Sequence, residues 1–254
     1  MKSTRREKGM AVFIPAAGLG TRLRPITEII PKEMFPVGKK PLLEHTIEQC
    51  KKAGCKRVII ALAKGELSSR IIKDYFQNGA RCGMHIEYVY APPTGIDKAF
   101  RAAKKNLENK PFLFLAGDMY ITSTKLIKTL FSEFKKHPEG VLALRKEKET
   151  HRFAMAECST KKKGTVTIKH LVEKPERDKS PSELASVGIM MLPRNFYRYF
   201  GTGKKEVQLS ATLNAMFKEH PAQGMVTSEK IFDCSNIAEW VAANQYVLKA
   251  STAE

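Results

Sequence analysis

Ala11-Val12-Phe13-Ile14-Pro15-Ala16-Ala17-Gly18-Leu19-Gly20-Thr21-Arg22 is an unbroken apolar run that passes directly into a glycine-rich turn and a cation. A short continuous apolar run bounded by glycine reads as a strand buried on both faces. A glycine turn at the carboxyl end of such a strand lies where α/β sheets bind ligands, and glycines there let backbone N–H groups approach a phosphate closely. The turn is not a dinucleotide fingerprint, because Leu23 stands where the third glycine would, and it is not a Walker loop, because no Gly-Lys-Ser/Thr follows. On the glycines alone, a phosphate cradle and a simple tight turn are equally good readings.

Outward from this stretch, residues 57–62, 85–91 and 111–116 repeat the buried-strand pattern. Between them Pro41 opens a helix that buries Leu42, Leu43, Ile47 and Cys50, leaves Glu44, Glu48, Lys51 and Lys52 outside, and ends at Gly54. Residues 66–77, 97–108 and 123–137 follow the same logic. This alternation predicts an α/β fold with a mostly parallel sheet and right-handed crossovers. The second half changes character: strands at 140–144, 153–158, 165–172 and 186–192, with the basic turn Lys161-Lys162-Lys163-Gly164 between the middle two, predict a small sub-lobe on a mixed sheet. A helix over 236–249 closes the chain. No Gly/Ser-rich linker and no internal repeat divides it, so one domain over 1–254 is expected.

Composition narrows the class. The 254 residues carry 44 Lys and Arg against 26 acids, a net charge of +18, with 43% hydrophobic and 28% charged residues. That is a globular chain with a substantial core, and none of its apolar runs approaches the ~20 residues of a membrane span. The basic N-terminus leads into a buried strand without a small-residue cleavage pattern, so a cytoplasmic location is expected. The five cysteines are scattered without a CxxC pair, and neither an HExxH nor a GxSxG motif occurs. The positive charge suits either nucleic acid or a small phosphorylated substrate. Aromatic residues are only 8% and the cations are dispersed, which disfavours nucleic acid; residues 2–8 read as a solvated basic arm.

Arg22, Arg24 and Lys32 fall within eleven positions, in a segment punctuated by Pro25, Pro31 and Pro36 that reads as a shaped loop. Fixed cations beside a glycine turn suit a polyphosphate and can stabilise charge on a leaving pyrophosphate. Only five of the 26 acids are Asp, and two of them, Asp118 and Asp233, end apolar strand-like runs. Hard carboxylate oxygens at strand ends suit a Mg²⁺ ion that carries substrate phosphates. Taken singly, each also reads as a turn former or helix cap.

Residues 15–27 (PAAGLGTRLRPIT) and 31–37 (PKEMFPV) together resemble the signature of the sugar-1-phosphate nucleotidyltransferases, the nucleoside-diphosphate-sugar pyrophosphorylases. Ordered matches continue at Ala116-Gly117-Asp118, Glu173-Lys174-Pro175, Ser186-Val187-Gly188-Ile189, Glu206-Val207-Gln208-Leu209-Ser210, Phe232-Asp233 and Ala243-Asn244-Gln245-Tyr246-Val247-Leu248. Lys32-Glu33-Met34 and Asp233-Cys234 look most like the UTP–glucose-1-phosphate uridylyltransferases. The resemblance implies a Rossmann-like nucleotidyltransferase fold and a Mg²⁺-dependent reaction, in which a sugar-1-phosphate oxygen attacks the α-phosphorus of a nucleoside triphosphate and releases pyrophosphate. It implies that Ala16, Ala17, Gly18, Leu19, Gly20, Thr21, Tyr90, Gly95 and Ile96 bind the nucleotide. Arg22 and Lys32 hold the triphosphate and the transition state, Asp118 and Asp233 hold the metal, and Glu173, Lys174 and Gly188 face the sugar phosphate. The nucleotide-binding part is then roughly 10–140, the sugar-binding part 141–235 and the terminal helix 236–250. The catalytic domain is expected to stand alone, without the β-helix that some relatives append, and homo-oligomers are common in the family.

The sequence departs from the family pattern around the base and the sugar. Tyr90 stands where pyrimidine-specific relatives carry Gln, and a tyrosine stacks on a base but cannot copy a primary amide's paired donor and acceptor. Ile96-Asp97-Lys98 is expected to add bulk and charge near the base or ribose, while Ala154, Ala211 and Ser235 replace the usual Gly, Asp and Gly. UTP and glucose-1-phosphate are the first expectation. The alternatives are another base, another sugar phosphate, or a non-catalytic sugar-nucleotide-binding paralogue.

Overall fold

Val12 and Ile14 face one side of a sheet and Phe13 the other, and all three are fully buried. That is why β1 (Ala11–Ala16) is apolar throughout rather than alternating. In the computed structural model, which describes residues 9–162, 164–200 and 207–251, β1 is followed by two short strands, β2 (Pro36–Val37) and β3 (Lys40–Pro41), and then by α1 (Leu42–Lys52), β4 (Arg57–Ala63), α2 (Leu67–Phe76), β5 (His85–Ala91), α3 (Ile96–Leu107), β6 (Phe112–Leu115), β7 (Met119–Ile121) and α4 (Thr124–Lys136). The second half runs through β8 (Val141–Lys146), β9 (Ala154–Lys162), β10 (Thr165–Glu173), β11 (Leu184–Leu192), α5 (Leu209–Glu219), β12 (Ala222–Val226), β13 (Ile231–Asp233) and α6 (Ile237–Ser251). The basic arm at 2–8, Lys163 of the basic turn and Glu206 lie outside the described residues.

Nine strands form one sheet in the order β5-β4-β1-β6-β11-β8-β12-β10-β9, while β13-β7 and β2-β3 make two small two-stranded sheets. The first-half strands β5, β4, β1 and β6 are all mutually parallel. β11 then enters antiparallel to both β6 and β8, β12 runs parallel to β8, and β10 is antiparallel to β12 and β9. The carboxyl ends of β1, β6, β8 and β12 therefore share one edge, to which β1 delivers its glycine turn. Helices cover both faces. Leu43, Ile47, Ile72, Phe76, Leu126 and Leu130 pack with Val12 and Ile14 on one side; Phe100, Leu213, Met216 and Phe217 pack with Phe13 on the other. Phe100 sits 4.9 Å from Phe13 and 5.3 Å from Phe114, ring centre to ring centre, so the second layer is an aromatic cluster.

The expected first-half elements appear within a residue or two of their predicted bounds, whereas β7, β12 and α5 were not anticipated. α5 has a specific structural duty. β12 pairs with β10 only over Thr165–Ile168, and beyond that point Asn214 on α5 takes over: its Oδ1 accepts from the Leu171 amide at 2.7 Å and its Nδ2 donates to the Leu171 carbonyl at 2.9 Å. One primary amide thus replaces a missing neighbouring strand. Leu171 is 2% exposed, so water does not substitute readily if the amide is removed. Asn214→Leu is expected to lower the unfolding free energy by about 2–3 kcal/mol, the cost of two orphaned buried backbone groups, with the midpoint of a urea titration as the measurement. A change within error would show that β10 satisfies itself without α5.

Candidate active site

Gly20 adopts φ +61°, and a Cβ there would meet Thr27 Cγ2 at 2.8 Å, so the turn needs glycine for both conformation and space. It is clasped by the Thr27 hydroxyl, which donates to the Gly20 carbonyl at 2.9 Å. From here the proline-punctuated segment passes through three short 3-10 turns, at Thr21–Leu23, Ile26–Glu28 and Lys32–Met34. Buried Leu23, Met34 and Phe35 anchor it to the core. The segment returns to the mouth of β1: a Cβ at Gly18 would lie 3.9 Å from Lys32 Nζ.

Lys32 Nζ donates to Asp118 Oδ2 at 2.6 Å and lies 3.9 Å from Glu33 Oε1. The Lys32 and Asp118 side chains keep only 18% and 13% of their exposure. Burial acts to raise the Asp118 carboxyl, but the Lys32 ammonium against it, with Arg22 further off, holds it below the usual carboxylate range. Burial would likewise lower the Lys32 ammonium, and Asp118 and Glu33 outweigh it and raise it. Glu33 is different in kind. It is 1% exposed and neither oxygen has a hydrogen-bond partner, so burial pushes its carboxyl up to about 7 against the pull of Lys32. It fits because residue 117 is glycine, where a Cβ would come within 2.7 Å of the Pro15 carbonyl and 3.1 Å of Glu33 Cγ.

The second aspartate arrives on a strand of its own. β13 pairs with β7 so that Asp233 faces Met119, and the Cys234 amide donates to the Asp118 carbonyl at 2.9 Å. The two acids, 115 positions apart in the sequence, are therefore neighbours. Asp233 Oδ1 accepts the Ser235 amide at 3.1 Å, the turn-forming role that its position also suggested. Asp233 Oδ2 takes the Arg152 guanidinium at 3.1 Å. Among the described residues no group of three or more His, Cys, Asp or Glu forms a metal cage. Two hard carboxylates at the ends of paired strands do fit Mg²⁺, which binds through one or two carboxylates with phosphates and waters completing its shell.

The residues expected to face the sugar phosphate lie along one strip. Glu173 on β10 is in register with Ala154 on β9, and Ala154 in turn with Ser186 on β11. Two residues on, Gly188 has φ +68° and a Cβ there would press on the Ala116 Cβ at 3.0 Å. The β11–β8 register shifts across this point, and the Ala116 amide donates to the Gly188 carbonyl at 2.9 Å. Lys174 is exposed, with φ +46°, and its amide donates to the Phe153 carbonyl at 3.0 Å. Gly188 thus adjoins Ala116, while Ala154 and then Glu173 stand one and two strands farther out along the strip.

Ala16 and Ala17 are buried, whereas Leu19 and Tyr90 are 39% and 47% exposed; Thr21 and Arg22 are also exposed, and Gly95 and Ile96 are partly so at the start of α3. Two sequence expectations change. Arg24 pairs with Glu28 at 3.8 Å, both well exposed, and takes no part in the cluster. Asp97 adds no charge to an exposed base site: it is 2% exposed in the first turn of α3, with Arg101 Nε 3.7 Å away, because a carboxylate there is favoured by the helix N-terminus. Ala211 lies exposed in the first turn of α5. Two residues were missed, Glu33 and Arg152. Glu33 had a signal, a charge flanked by the buried Met34-Phe35 pair; Arg152 had only an aromatic neighbour. A separate cavity of about 670 Å³ opens beside this region, lined by Arg145, Glu147, Lys230, Phe232 and Glu239 among others. It contains none of the residues assigned above.

The sequence profile of the family described as nucleotidyl transferase matches residues 11–249. The chain is similar to the UTP–glucose-1-phosphate uridylyltransferase of Staphylococcus epidermidis, 31% identical over 233 residues that cover 80% of each chain. It is 28% identical to the same-named protein of Bacillus subtilis over 83% of this chain and 81% of the relative. Among solved structures, a UDP-glucose pyrophosphorylase complexed with UDP-glucose superimposes with a TM-score of 0.85 at 25% identity, covering 95% of this chain and 99% of the other.

Glu33 provides a pH test of this geometry. Its folded carboxyl titrates near 7, above the ordinary 4.5, so between those values the unfolded chain has released a proton that the folded chain still holds. Folding stability therefore falls as pH rises through that window. Glu33→Gln removes the titration. Relative to wild type, the variant is expected to gain stability from pH 5 to pH 8, by up to roughly 3 kcal/mol, measured by urea unfolding at each pH. A difference that stays constant with pH would refute a buried carboxyl that no hydrogen bond holds in its charged form.

Proposed function

The chain belongs to the nucleotidyl transferase family, as an enzyme that joins a nucleotidyl group to a sugar-1-phosphate, and from that premise we propose that it makes UDP-glucose and pyrophosphate from UTP and glucose-1-phosphate with Mg²⁺. The observation that carries this reading is the meeting of Gly18, Lys32 and Asp118 at the carboxyl end of β1 and β6, with the Glu173–Ala154–Ser186 strip alongside.

In the proposed reaction a phosphate oxygen of the sugar phosphate forms a bond to the α-phosphorus of the nucleotide, while the bond from that phosphorus to the pyrophosphate oxygen breaks. The nucleophile is already an anion, so no general base is required, and catalysis consists of positioning and charge neutralisation. The turn at 18–20 presents backbone amides to the triphosphate. Lys32 exchanges its Asp118 partner for phosphate oxygens and, with Arg22, takes up charge on the leaving pyrophosphate. Lys174 meets the acceptor phosphate, and Glu173 accepts hydrogen bonds from sugar hydroxyls. Asp118 and Asp233 would hold Mg²⁺, which when bound neutralises substrate phosphate charge as a Lewis acid. The Tyr90 ring at the end of β5 offers a flat face to the base. Because it lacks an amide's paired donor and acceptor, dTTP, CTP and GTP are the alternatives to test beside UTP.

Pyrophosphate release from each nucleoside triphosphate, with and without a panel of hexose-1-phosphates, tests the substrates; sugar-dependent release with UTP and glucose-1-phosphate is the expected result. Asp118→Asn is expected to lower turnover at least about a hundredfold with the fold retained, since metal-borne charge stabilisation contributes several kcal/mol. Lys174→Ala is expected to raise KM for the sugar phosphate more than for the nucleotide. The reverse order would remove Lys174 from the acceptor site.

A further inference from the structure

Arg152 sits in a short turn, Thr150–Arg152, at the foot of β9. Its Nη1 meets Glu149 at 2.6 Å and its Nη2 meets Asp233 Oδ2 at 3.1 Å. The guanidinium carbon lies 5.2 Å from the centre of the Phe153 ring, and the side chain is only 19% exposed. The turn itself is pinned: the buried Thr150 hydroxyl donates to the Pro175 carbonyl at 3.0 Å, and Phe153 receives the Lys174 amide. A surface arginine paired by chance would have none of this bracing.

We propose that Arg152 is a positioning residue that keeps Asp233 charge-compensated, so that the pair of aspartates does not take a divalent cation until nucleotide phosphates are present. This rests on the reading of Asp118 and Asp233 as the metal carboxylates. Lys32 does the equivalent at Asp118, so each aspartate has a cation set against it, Arg152 being shared with the more exposed Glu149. A divalent cation entering such a site meets a fixed positive charge against each aspartate, and in a half-buried setting that repulsion is large. A triphosphate changes the balance, because it brings its own negative charge and offers Lys32 a new partner. Arg152, held by Glu149 and Phe153, stays on Asp233 and orients its carboxylate.

The test is Mn²⁺ binding to nucleotide-free protein, followed by the electron paramagnetic resonance of the free ion. Arg152→Gln is expected to bind Mn²⁺ at least about tenfold more tightly than wild type, the effect of deleting one fixed cation a few ångströms from the ion. Arg152→Lys, which keeps the charge, is expected to remain near wild type, and Asp233→Asn added to Arg152→Gln is expected to abolish the gain. If folded Arg152→Gln binds Mn²⁺ no more tightly than wild type, or if the gain survives Asp233→Asn, the compensation role is wrong. The metal reading fails separately, if Asp118→Asn and Asp233→Asn both retain activity.

Discussion

The 2.6 Å contact between Lys32 and Asp118 is the constraint around which the rest of the site is built. It joins the end of a long irregular segment to the end of a central strand, and removing two charges from water to do so is costly. Apolar replacements of buried ion pairs are often neutral or stabilising, so the pair is best understood through the site it creates. The structure absorbs the cost with a heavily buried frame. Leu23, Met34 and Phe35 seat the segment, Gly117 makes room for Glu33, and the fully buried strands beneath leave the carboxyl edge rigid. The result is a cation held at the mouth of β1 with a second partner, phosphate, always within its chemistry.

A single strand transmits this arrangement to the acceptor side. β11 lies between β6 and β8, antiparallel to both, and it is broken at Gly188 by a positive φ and a register shift. Upstream of the break, Ser186 faces Ala154; at the break, the Gly188 carbonyl takes the Ala116 amide. One irregularity thus fixes where the acceptor strip stands relative to Asp118. Bulges are commonly used to re-aim a strand beside a functional site, and here the register shift brings the proposed nucleotide and acceptor regions to one edge of a mixed sheet.

The parallel block was legible because strands covered on both faces leave continuous apolar runs, and because α1 carries its boundary residues, Pro41 and Gly54, in plain view. β7 and β12 were not, since Met119–Ile121 is three residues long and Ala222–Val226 carries a Gln and a Gly in five; only pairing makes them strands. The same limit applies to the site. Lys32 and Asp118 stood out as members of ordered motifs, but their direct contact is a product of the fold. Arg152 is one of 44 basic residues, and its role depends on β13 reaching β7, which no local pattern encodes. Asp97 departs from expectation because a charged residue beside a loop suggests exposure, whereas the start of a helix can stabilise a buried carboxylate.

Net charge and local charge act here at different ranges. The chain carries +18 overall, a field that draws polyanions from a distance and is screened beyond roughly 10 Å at ordinary ionic strength. Within the site, Lys32 and Arg152 each sit against an aspartate, Asp118 and Asp233, so a simple anion or a simple cation has to compete with a partner already in place. In the proposed reaction a ligand gains there by carrying both charges itself, phosphates for Lys32 and a divalent ion for the carboxylates. On that proposal attraction at long range is unselective, and discrimination falls to an exchange of partners at Lys32, the one cation of the pair that no second acid grips within hydrogen-bonding distance.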